Sequence, residues 1–236
     1  MSFLSRTRLV LGDSGVKKLG ESSIAIFGIG GVGSFAAEAL GRCGLGELTI
    51  VDYDLIDESN INRQIHSNSK TIGKAKVQIM KERLRDINPN IMVNAYKEKY
   101  TEGTSDKLLS KDYDYVIDAI DMVSSKIDLI VRCTENNIPI VSAMGAGNKI
   151  DPTMFEVADI YDTSICPLAR VMRRELRKRG VKTLKVVYSK ERQVRAFDRP
   201  LEKLPEIPTG SVSYVPSVMG MILASVVVKE IINVDR

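Results

Sequence analysis

The stretch Ser23-Ile24-Ala25-Ile26-Phe27-Gly28-Ile29-Gly30-Gly31-Val32-Gly33 decides the fold of this chain. Its first half is a continuous apolar run, which suits a β-strand buried on both faces. Its second half places Gly28, Gly30 and Gly33 in the spacing G-x-G-x-x-G, which permits a tight turn, backbone approach to a phosphate and close helix–strand packing. A helix that begins near Val32 offers free N–H groups to an anion. The stretch therefore predicts a nucleotide-binding turn.

Strands and helices alternate outward from this turn. The apolar pattern predicts further strands at 47–52, 91–96, 115–119 and 138–142, and helices at 32–43, 73–88, 104–109 and 125–136, with the end of a short helix at 14–19. Beyond about residue 147 it predicts strands at 154–159 and 183–189, helix 167–178, a loop at 192–211, and a strand-like start followed by a helix at 212–232. We expect an α/β fold with a Rossmann-like, doubly wound, mostly parallel sheet. Residues 1–147 would bind the nucleotide, and residues 148–236 would form a smaller C-terminal portion on the same sheet.

The composition is that of an ordinary soluble globular chain, since 44% of the 236 residues are apolar, 27% are charged and the net charge is +4. The three cysteines include no C-x-x-C pair, which predicts a reducing cytoplasm and argues against a zinc site. The start of the chain lacks a signal-peptide apolar region. Residues 215–228 are apolar but shorter than the ~20 residues that a membrane span needs, so we expect a buried core helix there and no membrane partner.

Polar residues near the strand ends narrow the choice of nucleotide. Asp52 lies 19 residues beyond Gly33, where a carboxylate commonly meets ribose hydroxyls, and Asp54 shares its face of the strand end. The set continues with residues 59–64, Lys74, Lys76, Asp118 and Asp121. Adenylyl transfer needs arginine and lysine against a triphosphate and a carboxylate for Mg²⁺. A nicotinamide-dependent dehydrogenase needs only the glycines and one acid. Such a dehydrogenase and a non-catalytic nucleotide-binding protein are the two alternatives.

The chain resembles the ThiF/MoeB/HesA-type adenylyltransferases, relatives of ubiquitin-activating enzymes. The resemblance lies in the order of five motifs along the sequence: Gly-x-Gly-Gly-x-Gly, Asp-x-Asp, Asn-x-x-Arg-Gln, Lys and Asp-Ala-x-Asp. The resemblance implies ATP and Mg²⁺ as cofactors. The roles that it implies are nucleotide approach by Gly31, ribose binding by Asp52, phosphate binding by Asn60 and Arg63, binding of the α/β-phosphate region by Lys76 and Mg²⁺ binding by Asp121. The predicted nucleotide site is completed by Gly28, Gly30, Gly33, Asp54 and Gln64.

An N-terminal arginine of these enzymes reaches the ATP bound by the other subunit. Arg6 is our candidate for that role and Arg8 is the alternative. The resemblance thereby implies a homodimer with composite active sites, in which Arg6 joins Arg63, Lys76 and Asp121 as a catalytic candidate.

The second half of the chain resembles one branch of this family, the tRNA threonylcarbamoyladenosine dehydratases. The segments that carry this likeness are 144–152, 159–164, 167–170, 173–180, 187–191 and 210–212 with Pro216, together with 62–66. The implied substrate is tRNA that bears N6-threonylcarbamoyladenosine at position 37, and the portion 148–236 would bind this substrate and form the dimer. Its carboxylate would be adenylated with release of pyrophosphate, and a nucleophile of the same side chain would close a ring and expel AMP. Because that nucleophile is tethered, no protein nucleophile is required.

Activation of the C-terminal glycine of a sulfur-carrier or ubiquitin-like protein is the second hypothesis. Enzymes of that kind often carry two C-x-x-C zinc pairs, which this chain lacks. A sulfur-relay protein is a further candidate partner.

Basic residues are dense between Arg170 and Arg195, where eleven lysines and arginines face two glutamates. Such a stripe suits the phosphate backbone of RNA, although charge runs are usually a solvated surface. The tRNA-binding candidates, which share one helix face, are Arg170, Arg173, Arg174 and Arg177.

The sequence allows both a structural and a functional role for two side chains, Cys166 and His66. Cys166, at the start of the arginine-rich helix, is interpreted as a packed small residue, with a reactive thiol as the alternative. His66 is the only histidine, so a Ser-His or Cys-His mechanism is poorly supported. A polar contact near the nucleotide loop is its functional alternative.

Overall fold

The structure is a computed structural model that describes residues 2–194 and 209–233. Its helices are α1 (Ser5–Glu21), α2 (Gly33–Arg42), α3 (Lys76–Ile87), α4 (Ser105–Leu108), α5 (Val123–Glu135), α6 (Pro167–Lys178) and α7 (Tyr214–Ile232). Its strands are β1 (Ser23–Phe27), β2 (Glu47–Val51), β3 (Met92–Tyr96), β4 (Tyr115–Asp118), β5 (Ile140–Ala143), β6 (Phe155–Asp159) and β7 (Lys185–Ser189).

The strands form one seven-stranded sheet in the order β3-β2-β1-β4-β5-β7-β6. Neighbouring strands are parallel except β6 and β7, which are antiparallel. The chain winds outward from β1 in one direction through β2 and β3, and in the other through β4 and β5. The predicted doubly wound, mostly parallel α/β sheet is thus confirmed. In such sheets a ligand binds at the carboxyl ends of the strands, where the winding direction reverses.

Helix α7 packs across the start of α2. By length and composition α7 could cross a membrane. Its residues Val215, Met219 and Leu223 are nevertheless buried in the main hydrophobic core, which confirms the predicted core helix. A Cβ atom on Gly220 would lie 2.3 Å from the carbonyl oxygen of Val32, so only glycine permits this approach of α7 to the glycine-rich turn.

Several element boundaries differ from the predictions, and three of these differences have an identifiable cause. Residues 212 and 213, predicted as a strand-like start, form no strand. Helix α1 is longer than predicted and bends at Gly12, whose φ of 73° is not helical. Helix α3 starts late because Gly73 and Lys74 form main-chain hydrogen bonds with Ile56 instead of a first helical turn. Strand β7 starts at Lys185 because the preceding residue donates its N–H to the carboxylate that ends β6.

The sheet continues across residue 147, since β5 pairs with β7 and α7 returns to α2. The division into portions 1–147 and 148–236 stays a prediction. The predicted loop at 192–211 lies mostly outside the described residues. Its described parts, 192–194 and 209–211, contain no helix or strand.

Candidate nucleotide-binding site

A cavity of about 530 Å³ lies at the carboxyl ends of the central strands. The structure brings ten predicted nucleotide residues to its wall, namely Gly28, Gly30, Gly31, Asp52, Asp54, Asn60, Arg63, Gln64, Lys76 and Asp121. Two predicted residues, Gly33 and Arg6, are absent from that wall. The contact of these side chains with a nucleotide stays a prediction, but their convergence from distant positions in the chain is a property of the fold.

The glycines of the turn serve different purposes. Gly28 has φ of 92°, and a Cβ there would lie 2.5 Å from the carbonyl oxygen of Ala119. A Cβ on Gly33 would lie 1.9 Å from the carbonyl oxygen of Gly28. These two glycines are therefore required by packing between the turn, α2 and β4. Gly30 is different, because the nearest atom to its hypothetical Cβ is Nε2 of Gln64 at 4.0 Å. The backbone at Gly30 is open to the cavity.

Asp52 links the ends of β1 and β2. Its Oδ2 accepts a hydrogen bond from Ile29 N at 2.7 Å, and its Oδ1 accepts one from Asp54 N at 2.9 Å. Burial raises the pKa of Asp52 above its ordinary value, while Lys76 and the two N–H donors oppose that rise. The carboxylate is thus held rigidly beside the glycine turn, where a ribose hydroxyl can reach it.

Lys76 is the buried cation of the cavity. It is the first residue of α3 and only 5% exposed, and its Nζ lies 2.7 Å from Oδ2 of Asp54. The pairing keeps the ammonium group at the cavity wall rather than in solvent. An incoming phosphate would share this cation with Asp54.

Asn60 and Arg63 come from the loop between β2 and α3. Asp57 caps a short 3₁₀ turn at Glu58–Asn60, and Asn60 Oδ1 accepts a hydrogen bond from Asp57 N at 3.1 Å. Arg63 donates from Nη1 to the carbonyl oxygen of Ser59 at 2.7 Å and to Oδ1 of Asn62 at 2.8 Å. A guanidinium group has five N–H donors, so this arrangement leaves donors for phosphate oxygens.

Asp121 is an exposed carboxylate at the cavity wall, in the loop after β4. The loop starts at Asp118, whose Oδ1 accepts the N–H of Ile120 at 3.1 Å. Beneath the loop, Lys126 Nζ lies 2.6 Å from Oδ2 of Asp118 and both side chains are fully buried. Sequence reasoning missed Lys126. Its one available signal was its place on the apolar face of helix α5.

Among the described residues, no group of three or more His, Cys, Asp or Glu side chains could hold a metal ion. A single carboxylate such as Asp121 is still compatible with Mg²⁺, which proteins commonly bind through one or two carboxylates together with substrate phosphates and water.

Sequence reasoning also missed several other lining residues of the cavity. The missed lining residues are Glu98, Lys99, Tyr100, Ser125 and Thr209. Lys99 Nζ lies 5.3 Å from the ring centre of Tyr53, and Ser125 Oγ donates to the carbonyl oxygen of Tyr100 at 2.7 Å. Their signal was positional, because residues 98–100 follow the carboxyl end of β3.

The N-terminal arginines lie outside the cavity of this single chain. Arg6 is exposed on the first turn of α1. Arg8 pairs with Asp13 at 2.5 Å. A contact of either residue with a second subunit stays a prediction.

A basic groove of about 380 Å³ runs along α6 and is lined by Arg170, Arg173, Arg174, Arg177 and Lys178. Arg173 donates to the carbonyl oxygen of Thr163 at 2.8 Å, and the Arg177 guanidinium lies 5.1 Å from the ring centre of Tyr161. The four predicted arginines thus share one surface, and three of them are also held by neighbouring residues, since Arg174 pairs with Glu175 at 3.1 Å. Arg195, the end of the predicted basic stripe, lies outside the described residues.

Cys166 and His66 are both buried, at 1% and 2% exposure. Cys166 packs in a core cluster with Met172 and Leu176, as its interpretation as a small packed residue requires. His66 does not line the cavity, and neither of its ring nitrogens has a hydrogen-bond partner among the described residues. Burial, with smaller contributions from two nearby cations, lowers the pKa of His66 to about 4. The imidazole is therefore neutral at physiological pH.

Comparisons with known proteins agree with this geometry. The model of the ThiF family matches residues 4–236. A tRNA threonylcarbamoyladenosine dehydratase of Bacillus subtilis is 42% identical over 239 residues, which span 97% of this chain and 94% of the relative. The crystal structure of the Escherichia coli tRNA N6-threonylcarbamoyladenosine dehydratase in complex with ATP is similar with a TM-score of 0.89 and 34% identity, covering 98% of this chain and 93% of that one. The complex of that enzyme with AMP gives a TM-score of 0.88 at 34% identity, over 97% and 93% of the two chains.

Proposed function

The chain belongs to the ThiF family, and we propose that it uses ATP to dehydrate N6-threonylcarbamoyladenosine at position 37 of tRNA. One observation carries the proposal. The glycine turn, Arg63, Lys76 and Asp121 converge on one cavity, in a chain that matches dehydratases of this kind over nearly its whole length.

The reaction has two steps in this proposal. An oxygen of the threonine carboxylate attacks the α-phosphorus of ATP, and the bond to the bridging oxygen breaks to release pyrophosphate. A nucleophilic atom of the same modified nucleoside then attacks the activated carbonyl carbon, loses its proton and expels AMP. The net change in the nucleoside is the loss of one water. Tethering supplies the high effective concentration of the attacking group, so the protein mainly positions the reactants and neutralises charge.

The cavity residues supply that positioning. Asp52 would accept hydrogen bonds from ribose, and the open backbone at Gly30, together with the backbone at Gly31, would approach the phosphates. Arg63 and Lys76 would neutralise the negative charge that moves onto the leaving pyrophosphate. Asp121 would hold Mg²⁺, which would supply further charge neutralisation.

Three further parts of the proposal concern partners and location. The α6 groove would contact tRNA phosphates, because its cations are gathered on one surface. A homodimer would bring Arg6 of one protomer to the ATP of its partner. We also propose a cytoplasmic location and, as a further candidate partner, a sulfur-relay protein.

Activation of a sulfur-carrier or ubiquitin-like protein is the alternative substrate within the same chemistry. The lack of C-x-x-C pairs and the basic groove favour RNA over a carrier protein.

The test is a reconstitution with ATP, Mg²⁺ and tRNA that carries the modified nucleoside. After digestion, mass spectrometry should find that nucleoside lighter by one water only when ATP is present. The matching assay offers a carrier protein with a C-terminal Gly-Gly. Adenylation of that carrier, with the tRNA nucleoside unchanged, would overturn the proposal.

A further inference from the structure

Residues 209–211, the 209–211 strip, form part of the cavity wall. Thr209 and Ser211 line the cavity beside the loop that follows β5. A Cβ on Gly147 would lie 2.1 Å from Cγ2 of Thr209 and 3.3 Å from the carbonyl oxygen of Gly210. The strip therefore lies directly against the backbone of that loop.

Asn148 holds the strip from the β5 side. Its N–H donates to the carbonyl oxygen of Gly210 at 2.8 Å, and its Oδ1 accepts the N–H of Gly210 at 2.7 Å. Its own carbonyl oxygen accepts the N–H of Val194 at 2.7 Å. The φ of Asn148 is 56°, a left-handed conformation that asparagine tolerates better than most residues. The backbone here is bent so that one residue forms all three bonds.

Asn62, in the loop between β2 and α3, also holds the strip. Its Nδ2 donates to the carbonyl oxygen of Ser211 at 3.0 Å. Its Oδ1 accepts a hydrogen bond from Arg63 at 2.8 Å. One amide group therefore joins the strip to the guanidinium group that faces the cavity.

We propose that Asn62 and Asn148 are positioning residues, which hold the 209–211 strip as a wall of the cavity and orient Arg63 for the phosphates of ATP. The inference rests on the proposed function, since it takes ATP as the nucleotide. Asn62 and Asn148 hold the same strip, so loss of either side-chain tie loosens the same part of the wall. The two losses are therefore coupled, whereas independent residues would act additively.

The test is a double-mutant cycle measured by calorimetric titration of the full-length chain with ATP. Asn62→Ala removes both the hydrogen bond to Ser211 and the Oδ1 acceptor of Arg63. Asn148→Gly removes only the Oδ1 acceptor, because glycine keeps the left-handed backbone and its main-chain bonds. Each variant should weaken ATP binding about fivefold, the size of one hydrogen bond. The double variant should lose about five- to tenfold, short of the roughly 25-fold that additivity requires.

Asn94→Ala is the matched control. It removes a side-chain hydrogen bond of 2.8 Å to Glu47 on β2 and does not line the cavity, so its affinity for ATP should be unchanged. Additive losses in the double variant would overturn the inference alone. A lower melting temperature with unchanged ATP affinity in both single variants would overturn it as well. Failure of the unsubstituted chain to bind ATP would instead overturn the proposed function and this inference with it.

Discussion

Nζ of Lys126 lies 2.6 Å from Oδ2 of Asp118, and neither side chain is exposed to solvent. Ser142 Oγ donates to the same carboxylate oxygen at 2.6 Å, so one buried network joins α5, β4 and β5. Asp118 also receives the N–H of Ile120, at the start of the loop that carries Asp121. The network thus supports the two loops, after β4 and after β5, that form one side of the cavity.

Removal of one partner from this buried pair should destabilise the fold strongly. Lys126→Met leaves the Asp118 carboxylate buried without its cation, which typically costs about 3–5 kcal/mol. Urea unfolding should show this loss. Lys107→Met is the control, because Lys107 pairs with Glu98 at 2.5 Å with 63% of its side chain exposed, and such pairs contribute about 1 kcal/mol or less. Equal losses in the two variants would contradict a structural role for the buried pair.

Two substitutions in the glycine turn distinguish a glycine required for packing from a glycine that faces the nucleotide cavity. Gly33→Ala places a Cβ 1.9 Å from a backbone oxygen and should destabilise the fold by about 3 kcal/mol or more. Gly30→Ala meets its nearest atom at 4.0 Å, so its unfolding free energy should change little. The methyl group at residue 30 would nevertheless occupy the cavity, and ATP affinity should fall. Normal ATP binding by Gly30→Ala would show that the phosphates lie elsewhere.

Arg63→Ala should abolish activation while the protein stays folded. Loss of one charge-stabilising donor typically slows catalysis about 10²- to 10³-fold. The measurement is ATP–pyrophosphate exchange in the presence of modified tRNA, with circular dichroism to show folding. Arg85→Ala, an exposed change on α3, is the matched control and should leave exchange unchanged. Full exchange activity in Arg63→Ala would place the phosphate site elsewhere.

The α6 groove should act on tRNA rather than on ATP. The double variant Arg170→Ala and Arg174→Ala removes two exposed cations from the groove. Affinity for tRNA should fall. The negative slope of log affinity against log salt concentration should become shallower by about one for each lost phosphate contact. ATP binding, measured by titration, should not change. An unchanged salt slope would show that the groove is only a solvated surface.

Much of this architecture was predictable because it is encoded locally. Apolar runs alternating with helical patterns predict a parallel sheet, and the glycine spacing predicts where its ligand binds. The buried Lys126 was not predictable, because lysine in a helix is normally a surface residue. The tie from Asn62 to Ser211 was also hidden, since it joins residues 149 positions apart. No local pattern reports which distant segments meet at a strand end.

Acidification should destabilise the protein through His66. Burial lowers the pKa of His66 in the folded state to about 4, against 6.5 in an unfolded chain. Between these values the unfolded state binds more protons, so stability rises with pH up to about 6.5 and is flat above it. The loss on acidification approaches roughly 3 kcal/mol below pH 4. Unfolding free energies measured by urea from pH 4 to 7.5 should follow this curve.

His66→Gln isolates this contribution, because glutamine is polar and of similar size but does not titrate. The half-buried Asp52 also changes protonation on acidification, and its raised pKa acts in the opposite direction, since its folded state holds the proton more firmly. Subtracting the variant from the unsubstituted chain cancels that background and leaves the imidazole alone. The difference should grow steadily as the pH falls from about 6.5 towards 4. A difference that stays constant over this range would mean that His66 titrates at its ordinary pKa, and therefore that water reaches it in the folded protein.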